Sequence, residues 1–346
     1  GIFQKKNFNS LFKQQNLFYL IYILILCFIL SIDLVTNLKL EWDGHGWYFH
    51  AFNFKENLNF YNLYDTDRYN QPHLGGILWS VLWNISFLDH EFYGRIFYII
   101  LYLTAILSVS ENVSKFLFNR ICISSLLIFL TYDRFLFSGY QEILIFSILT
   151  IICNLINYLN LKKLTTIQVF FLVTISSLLL WSKNEGIIYF TILICYFIFF
   201  QNFKNKIILI CLALFSVFLK FYFLNLSEFF SLYFFNKNIL LPNLELLFEK
   251  SFYISIHLFI AMFKYPIWIL FIFMFILKND FKNSLDVLFF SIISLFIIFL
   301  FYLINDLDDY KWLITNSLDR LIFQASGFLL VYVSSSVNSI FRRSKY

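Results

Sequence analysis

The chain has 346 residues, 60% of them hydrophobic and 14% charged, with a mean hydropathy of +0.74 and a formal net charge of +5. A soluble domain carries about a quarter charged residues, so this composition excludes an ordinary globular fold and belongs in a lipid bilayer. The 49 Phe and 22 Tyr accompany abundant Ile, Asn and Lys, a codon-bias signature that carries no functional information. Cys27, Cys122, Cys153, Cys195 and Cys211 lie singly inside apolar runs, without CxxC or metal-ligand spacing, and read as small core residues.

A helix needs roughly 20 apolar residues to cross the hydrocarbon core. In chain order, the segments 17–37, 94–110, 117–132, 142–159, 165–182, 186–201, 206–224, 251–277, 285–304 and 319–339 meet or approach that length. They predict an all-α polytopic membrane protein with about ten transmembrane helices. No small-x-small cleavage site follows the first segment, which reads as a retained span. The third is the shortest fit, and Lys264-Tyr265-Pro266 predicts a kink or interfacial start within the eighth. No internal repeat or Pro/Gly-rich linker divides the chain, so residues 1–346 read as one domain.

Lysine and arginine distribution orients the stack. Lys5, Lys6 and Lys13, then Lys115 and Arg120, Lys162 and Lys163, Lys204 and Lys206, Lys278 and Lys282, and Arg342, Arg343 and Lys345 fall in alternate gaps. Only Glu111, Asp280 and Asp286 join them, and the other 18 of 21 carboxylates fall in the opposite gaps or at adjoining helix ends. Both termini are therefore expected in the cytoplasm. The outer gaps are 38–93, 133–141, 183–185, 225–250 and 305–318. The first is long, and its Trp-rich stretch 74–88 reads as an interfacial helix.

The outer gaps hold the residues with chemical potential. Glu41-Trp42-Asp43-Gly44-His45-Gly46-Trp47-Tyr48 follows the first apolar segment. Asp43 is either a solvated helix-end carboxylate or a general base, set between aromatic walls with Glu41 in support and His45 beside it. In Lys183-Asn184-Glu185, the charges either close a turn or present Lys183 to a phosphate, with Glu185 orienting it. Arg320 heads the last span and shares its compartment with Lys183, Arg134 and Arg95. A guanidinium there either snorkels or grips phosphate oxygens, and among these cations Arg320 is the first candidate.

His73 follows Pro72 and precedes Gly75-Gly76, a pattern that suits a turn into a helix as well as a substrate contact. Glu142, after Gly139-Tyr140-Gln141, sits where a helix N-terminus favours an anion. Two D-x-D patterns, Asp65-Thr66-Asp67 and Asp306-Leu307-Asp308, lie on the outer face. The outer acids could bind Mg²⁺ or Mn²⁺, though none forms a full ligand set. There is no Gly-rich phosphate loop, zinc spacing or nucleophile elbow, and the basic inner loops are explained by topology without nucleic acid.

Taken in order, Glu41-Trp42-Asp43-Gly44, Asn70-Gln71-Pro72-His73-Leu74, Gly139-Tyr140-Gln141-Glu142, Lys183-Asn184-Glu185-Gly186 and Ser317-Leu318-Asp319-Arg320-Leu321 resemble a known pattern. It is that of the GT-C-fold glycosyltransferases that use polyprenyl-phosphate sugars, especially bacterial relatives of the dolichyl-phosphate-mannose mannosyltransferases. The resemblance implies a multi-pass enzyme of the inner (plasma) membrane with its site on the non-cytoplasmic face. It would move a sugar to a lipid, glycan or protein hydroxyl, with membrane lipids around it. Asp43 is then the base, supported by Glu41, and Arg320, Lys183 and Arg134 hold the donor phosphate. His45, His73, Glu142 and Glu185 would line the substrate pocket. Many members have an adjacent Asp-Glu pair, whereas Trp42 separates the acids here, and about ten spans is few for the family.

The rival expectation is a transporter or flippase for a lipid-linked or anionic solute. Transporters place ionisable groups near the midplane, often at Gly- or Pro-interrupted helices. Here the 9 Gly and 3 Pro fall mostly in loops, and Lys220, His257 and Lys264 are the nearest charges to any span interior.

Overall fold

The computed structural model describes residues 14–36, 40, 42–57, 72–85, 89–133, 138–158, 165–200, 206–224, 244–278, 281–304 and 310–343. Among them the chain is all-helical, with fourteen helices. These are α1 (Gln14–Thr36), α2 (Trp42–Asn57), α3 (Leu74–Ile85), α4 (Phe92–Val113), α5 (Leu117–Thr131), α6 (Glu142–Tyr158) and α7 (Thr166–Ser182). They continue as α8 (Gly186–Phe200), α9 (Lys206–Phe223), α10 (Leu244–Lys264), α11 (Ile267–Lys278), α12 (Phe281–Ile304), α13 (Tyr310–Ser326) and α14 (Leu330–Arg343). Among the described residues, four helices are long and apolar enough to cross a membrane, or five if the bent α13–α14 pair counts as one span. The outward faces agree: α1 exposes Phe18, Leu24, Phe28 and Ile29, and α9 exposes Leu214, Phe215 and Phe218. In water such contiguous apolar surface would aggregate, whereas in lipid it is solvated. The chain is a helical membrane protein.

Every apolar segment expected from the sequence is helical over its described residues, the kink expected at Lys264-Tyr265-Pro266 is present, and two features were not foreseen. The stretch beginning at Trp42, read only as part of the long first gap, is a helix. Trp47, Ala51 and Phe54 recur at helical spacing and are buried, so α2 has a packing face against α3. The eighth segment divides at Tyr265-Pro266 into α10 and α11, because Pro266 has no N–H to continue the ladder. The tenth divides too: α13 and α14 bend by 52° across residues 327–329. There the bonds tighten to i→i+3, from Gly327 N to Gln324 O and from Leu329 N to Ser326 O. A Cβ at position 327 would lie 2.7 Å from the Phe146 carbonyl, so glycine lets the bend press on α6.

Helix α6 is the axis. Its residues from Glu142 to Thr150 are all buried, as a helix apolar on all sides requires. It packs against α4, α7, α13 and α14. Helix α4 packs on α6 and also on α1, α3, α5 and α14. A capping box starts α7: Thr165 Oγ1 accepts from Gln168 N, and Gln168 Oε1 accepts from Thr165 N at 2.9 Å.

The α2–α3 pair is anchored to this axis by polar contacts within the apolar packing. Gln141 Nε2 donates to the Tyr98 hydroxyl at 2.8 Å, and that hydroxyl donates to the Gly75 carbonyl at 3.0 Å. Trp79 Nε1 donates to the Glu91 carbonyl at 2.9 Å, while the buried Arg95 pairs with the Glu91 carboxylate at 2.5 Å. These contacts hold the α2–α3 pair over the starts of α4 and α6. Tyr98→Phe should destabilise the fold by about 1–2 kcal/mol, because Gln141 and Gly75 lose a buried partner. Denaturant titration in mixed micelles measures this, and an unmoved midpoint would mean the Gln141–Tyr98–Gly75 chain holds nothing.

Candidate functional site

Three carboxylates stand at the starts of three helices. Asp43 is in the first turn of α2, Glu142 is the first residue of α6, and Glu185 immediately precedes α8. Each position favours negative charge, because the unsatisfied N–H groups of the first turn point outward. Lys183 caps the C-terminus of α7, where a cation is favoured. The turn between α7 and α8 is tight, with Gly186 N bonded to Lys183 O at 3.0 Å, so Lys183 and Glu185 leave it together.

Helix α13 brings Arg320 into this ring. Its guanidinium Nη1 contacts Asp43 Oδ2 directly, and lies 3.3 Å from Glu142 Oε1. The same Glu142 oxygen accepts from Lys183 Nζ at 2.9 Å, and Lys183 is 3.2 Å from Glu185 Oε1. The Tyr140 ring lies 5.0 Å from the guanidinium carbon, a cation–π contact. Glu142 is 1% exposed, Lys183 13%, Arg320 22% and Asp43 28%, so the ring grades from buried to open. Burial alone would lower the Lys183 pKa, but Glu142 and then Glu185 outweigh it and hold the ammonium above its ordinary range.

Close backbone approach makes this possible. The turn at Ser138-Gly139 abuts the start of α2: a Cβ on Gly44 would lie 2.4 Å from the Ser138 carbonyl. Gly139 has φ +93° and its own Cβ would fall 3.2 Å from Gly44 Cα. Glycine at both positions lets Asp43 reach across to the α6–α13 seam.

A second cluster adjoins the first. Lys264 Nζ, ending α10, lies 2.6 Å from Asp319 Oδ2 and 3.2 Å from Asp133 Oδ2, and the Tyr265 hydroxyl donates to Asp133 at 3.0 Å. Asp319 and Arg320 are neighbours on α13, so one helix serves both clusters. Beside the first, α8, α12 and α13 line a cleft with Glu185, Ile188, Tyr189, Ser294, Ile297, Ile298, Phe301 and Leu321, where Glu185 is the one charged residue among those described.

The structure thus brings Asp43, Glu142, Lys183, Glu185 and Arg320 together. His45 is exposed on α2. His73 sits elsewhere, its ring 5.8 Å from His50 and 5.7 Å from Phe54. Glu41, Arg134 and both D-x-D patterns lie outside the described residues. Among those described, no three His, Cys, Asp or Glu residues group to hold a metal ion. Sequence reading missed Tyr140 and the Lys264 cluster. The signal for the latter was partial, since Asp133 and Asp319 stand at the ends of apolar runs whereas Lys264 lies within the segment 251–277.

Comparison with known protein families, curated proteins and solved structures gives no match to this chain.

Two measurements probe the electrostatics. A double-mutant cycle on Glu142→Gln and Lys183→Met should give a coupling of about 2 kcal/mol or more, because removing one partner strands a buried charge. The Glu249–Lys311 pair, 55% and 53% exposed, should give under about 1 kcal/mol. Equal couplings would place Lys183 in solvent. Burial and then the neighbouring His50 lower the His73 pKa to about 4. The unfolded chain therefore takes up a proton near pH 6.5 that the folded chain refuses until about pH 4. Stability should fall by about 3 kcal/mol as pH drops through that window, and His73→Asn should flatten the dependence. An identical slope in the variant would assign it to other groups.

Proposed function

We propose that this chain is a membrane glycosyltransferase that moves a sugar from a polyprenyl-phosphate donor to an acceptor hydroxyl. The reading includes about ten spans, cytoplasmic termini and a site on the non-cytoplasmic face of the inner membrane, following the charge alternation of the loops. One observation carries it: the candidate base, Asp43, and the candidate phosphate ligand, Arg320, are in direct contact although 277 residues apart in sequence. Glycosyl transfer from a lipid phosphate needs such a pair within one substrate's length. The N-termini of α2, α6 and α8 add an anion-attracting field.

The step is a single displacement. The acceptor hydroxyl gives its proton to Asp43, its oxygen bonds to the anomeric carbon, and the bond from that carbon to the phosphate oxygen breaks. The polyprenyl phosphate leaves with the electron pair, its charge met by Arg320 and Lys183, and the anomeric carbon is inverted. Orientation and charge stabilisation supply most of the acceleration. The apolar cleft beside Glu185 is suited to an isoprenoid chain.

A second reading, transport of an anionic or lipid-linked solute, is favoured by the helix breaks at Tyr265-Pro266 and 327–329, the first directly beside the Lys264 cluster. Interrupted helices with charges at the break are a transporter feature. Turnover separates the two. In detergent, without a gradient, labelled polyprenyl-phosphate sugar should be consumed by the native chain. Asp43→Asn should lower the rate by a factor of about 10² or more while remaining folded and monodisperse. Near-native turnover in that variant removes Asp43 from the chemistry, and gradient-dependent uptake without turnover selects transport.

A further inference from the structure

The cations that would hold a phosphate are already holding carboxylates. Among the described residues, Asp43, Glu142 and Glu185 contribute three negative charges against two positive ones from Lys183 and Arg320, an excess of one negative charge. A polyprenyl-phosphate sugar, a phosphodiester, would add one more on entering, and the polyprenyl monophosphate left after transfer one or two. Such an excess in a partly desolvated site is not tolerated unless a resident carboxylate yields.

The geometry identifies which one. Glu142 is 1% exposed and fixed between Arg320 and Lys183, so it has nowhere to go. Asp43 is 28% exposed and belongs to the ring through Arg320 Nη1. Two buried polar atoms of these side chains are unsatisfied among the described residues. Arg320 Nε is buried and has no hydrogen-bond partner among the described residues, and neither has Glu142 Oε2. The first is a donor suited to a phosphate oxygen. The second is an acceptor that the protonated phosphate monoester, the leaving product rather than the diester donor, can satisfy.

We infer that Asp43 occupies the phosphate position on Arg320 in the empty protein, so that anion binding and the freeing of Asp43 from the guanidinium are one exchange. The inference rests on the glycosyltransferase reading only for the identity of the anion, a lipid monophosphate. Its consequence is ordering. While paired, Asp43 is a poor proton acceptor, because the guanidinium stabilises its charged form. Donor binding removes that partner, so the base acquires its strength only when a sugar is present to be transferred, and idle activation of water is suppressed.

The test is a binding measurement on the full chain in detergent, with a polyprenyl monophosphate as the probe and the uncharged polyprenol as its control. Asp43→Asn and Asp43→Ala should each bind the monophosphate about tenfold more tightly than the native chain, the scale of one displaced charged contact. Asp43→Glu, which keeps the competing charge, should stay near native affinity, and Arg320→Gln should bind monophosphate no better than polyprenol. Unchanged or weakened binding in both Asp43→Asn and Asp43→Ala overturns the exchange, as does equal tightening in Asp43→Glu. These outcomes are independent of turnover. Tighter binding in the variants with no sugar transfer by the native chain would sink the enzyme reading and keep the exchange, and transfer by the native chain with unchanged affinity in the variants would do the reverse.

Discussion

Arg320 must be neutralised where it sits, and the end of the molecule that holds it is arranged around that need. An arginine on a helix packed against α6 cannot reach open water with its whole guanidinium, and leaving it unpaired would cost several kcal/mol. Its partners come from elements that are otherwise independent: Asp43 from α2, Glu142 from α6, and Lys183 through Glu142 from the α7–α8 turn. The ion ring therefore fixes the relative positions of five helices at one end. Such a network adds little net stability compared with an apolar core of the same volume, because desolvation offsets the attraction. Its effect is to specify geometry.

The helix termini make the ring less costly than its charge count suggests. Each carboxylate stands at an N-terminus and the lysine at a C-terminus, so the backbone dipoles favour the side-chain charges that are present. The same arrangement explains why the polar residues sit at the ends of apolar segments and not within them. A charge at the bilayer centre is expensive, whereas at a helix start it meets unsatisfied N–H groups that themselves need acceptors. Folding demands and anion chemistry select the same positions.

That coincidence governs what the sequence could reveal. The apolar segments were legible because twenty-residue hydrophobicity is a local property, and Pro266 marked one break. The break at 327–329 was not, since a single Gly327 in an apolar run does not announce a close approach to Phe146. Helix α2 was hidden by its own composition: Glu41 to Tyr48 reads as reactive, and the buried spacing of Trp47, Ala51 and Phe54 was passed over. For the site, Asp43, Glu142, Lys183, Glu185 and Arg320 were visible as polar residues in outer gaps. Their pairing was not, because contacts between residues 43 and 320, or 142 and 183, depend on how the helices pack. His73 went the other way, toward His50 and Phe54, because a turn residue beside a helix start can be drawn into the α2–α3 seam.

Helix α13 is where the two ion clusters meet, and this bears on how a ligand would be felt. Asp319 and Arg320 are consecutive, so their side chains diverge by about 100° around the helix. One engages Lys264 and thereby α10, and the other engages the ring at α2 and α6. Ser317, one turn back from Leu321, meets the Tyr302 hydroxyl on α12, and the Leu321 carbonyl accepts from Tyr189 on α8. The same helix ends at the bend that Gly327 presses against α6. A change in what Arg320 holds therefore cannot remain local: any rotation of α13 that lengthens the Asp43 contact also moves Asp319 against Lys264. The clusters are mechanically one unit, in which an anion arriving at the ring would be registered by α8, α10 and α12 through a single rigid helix.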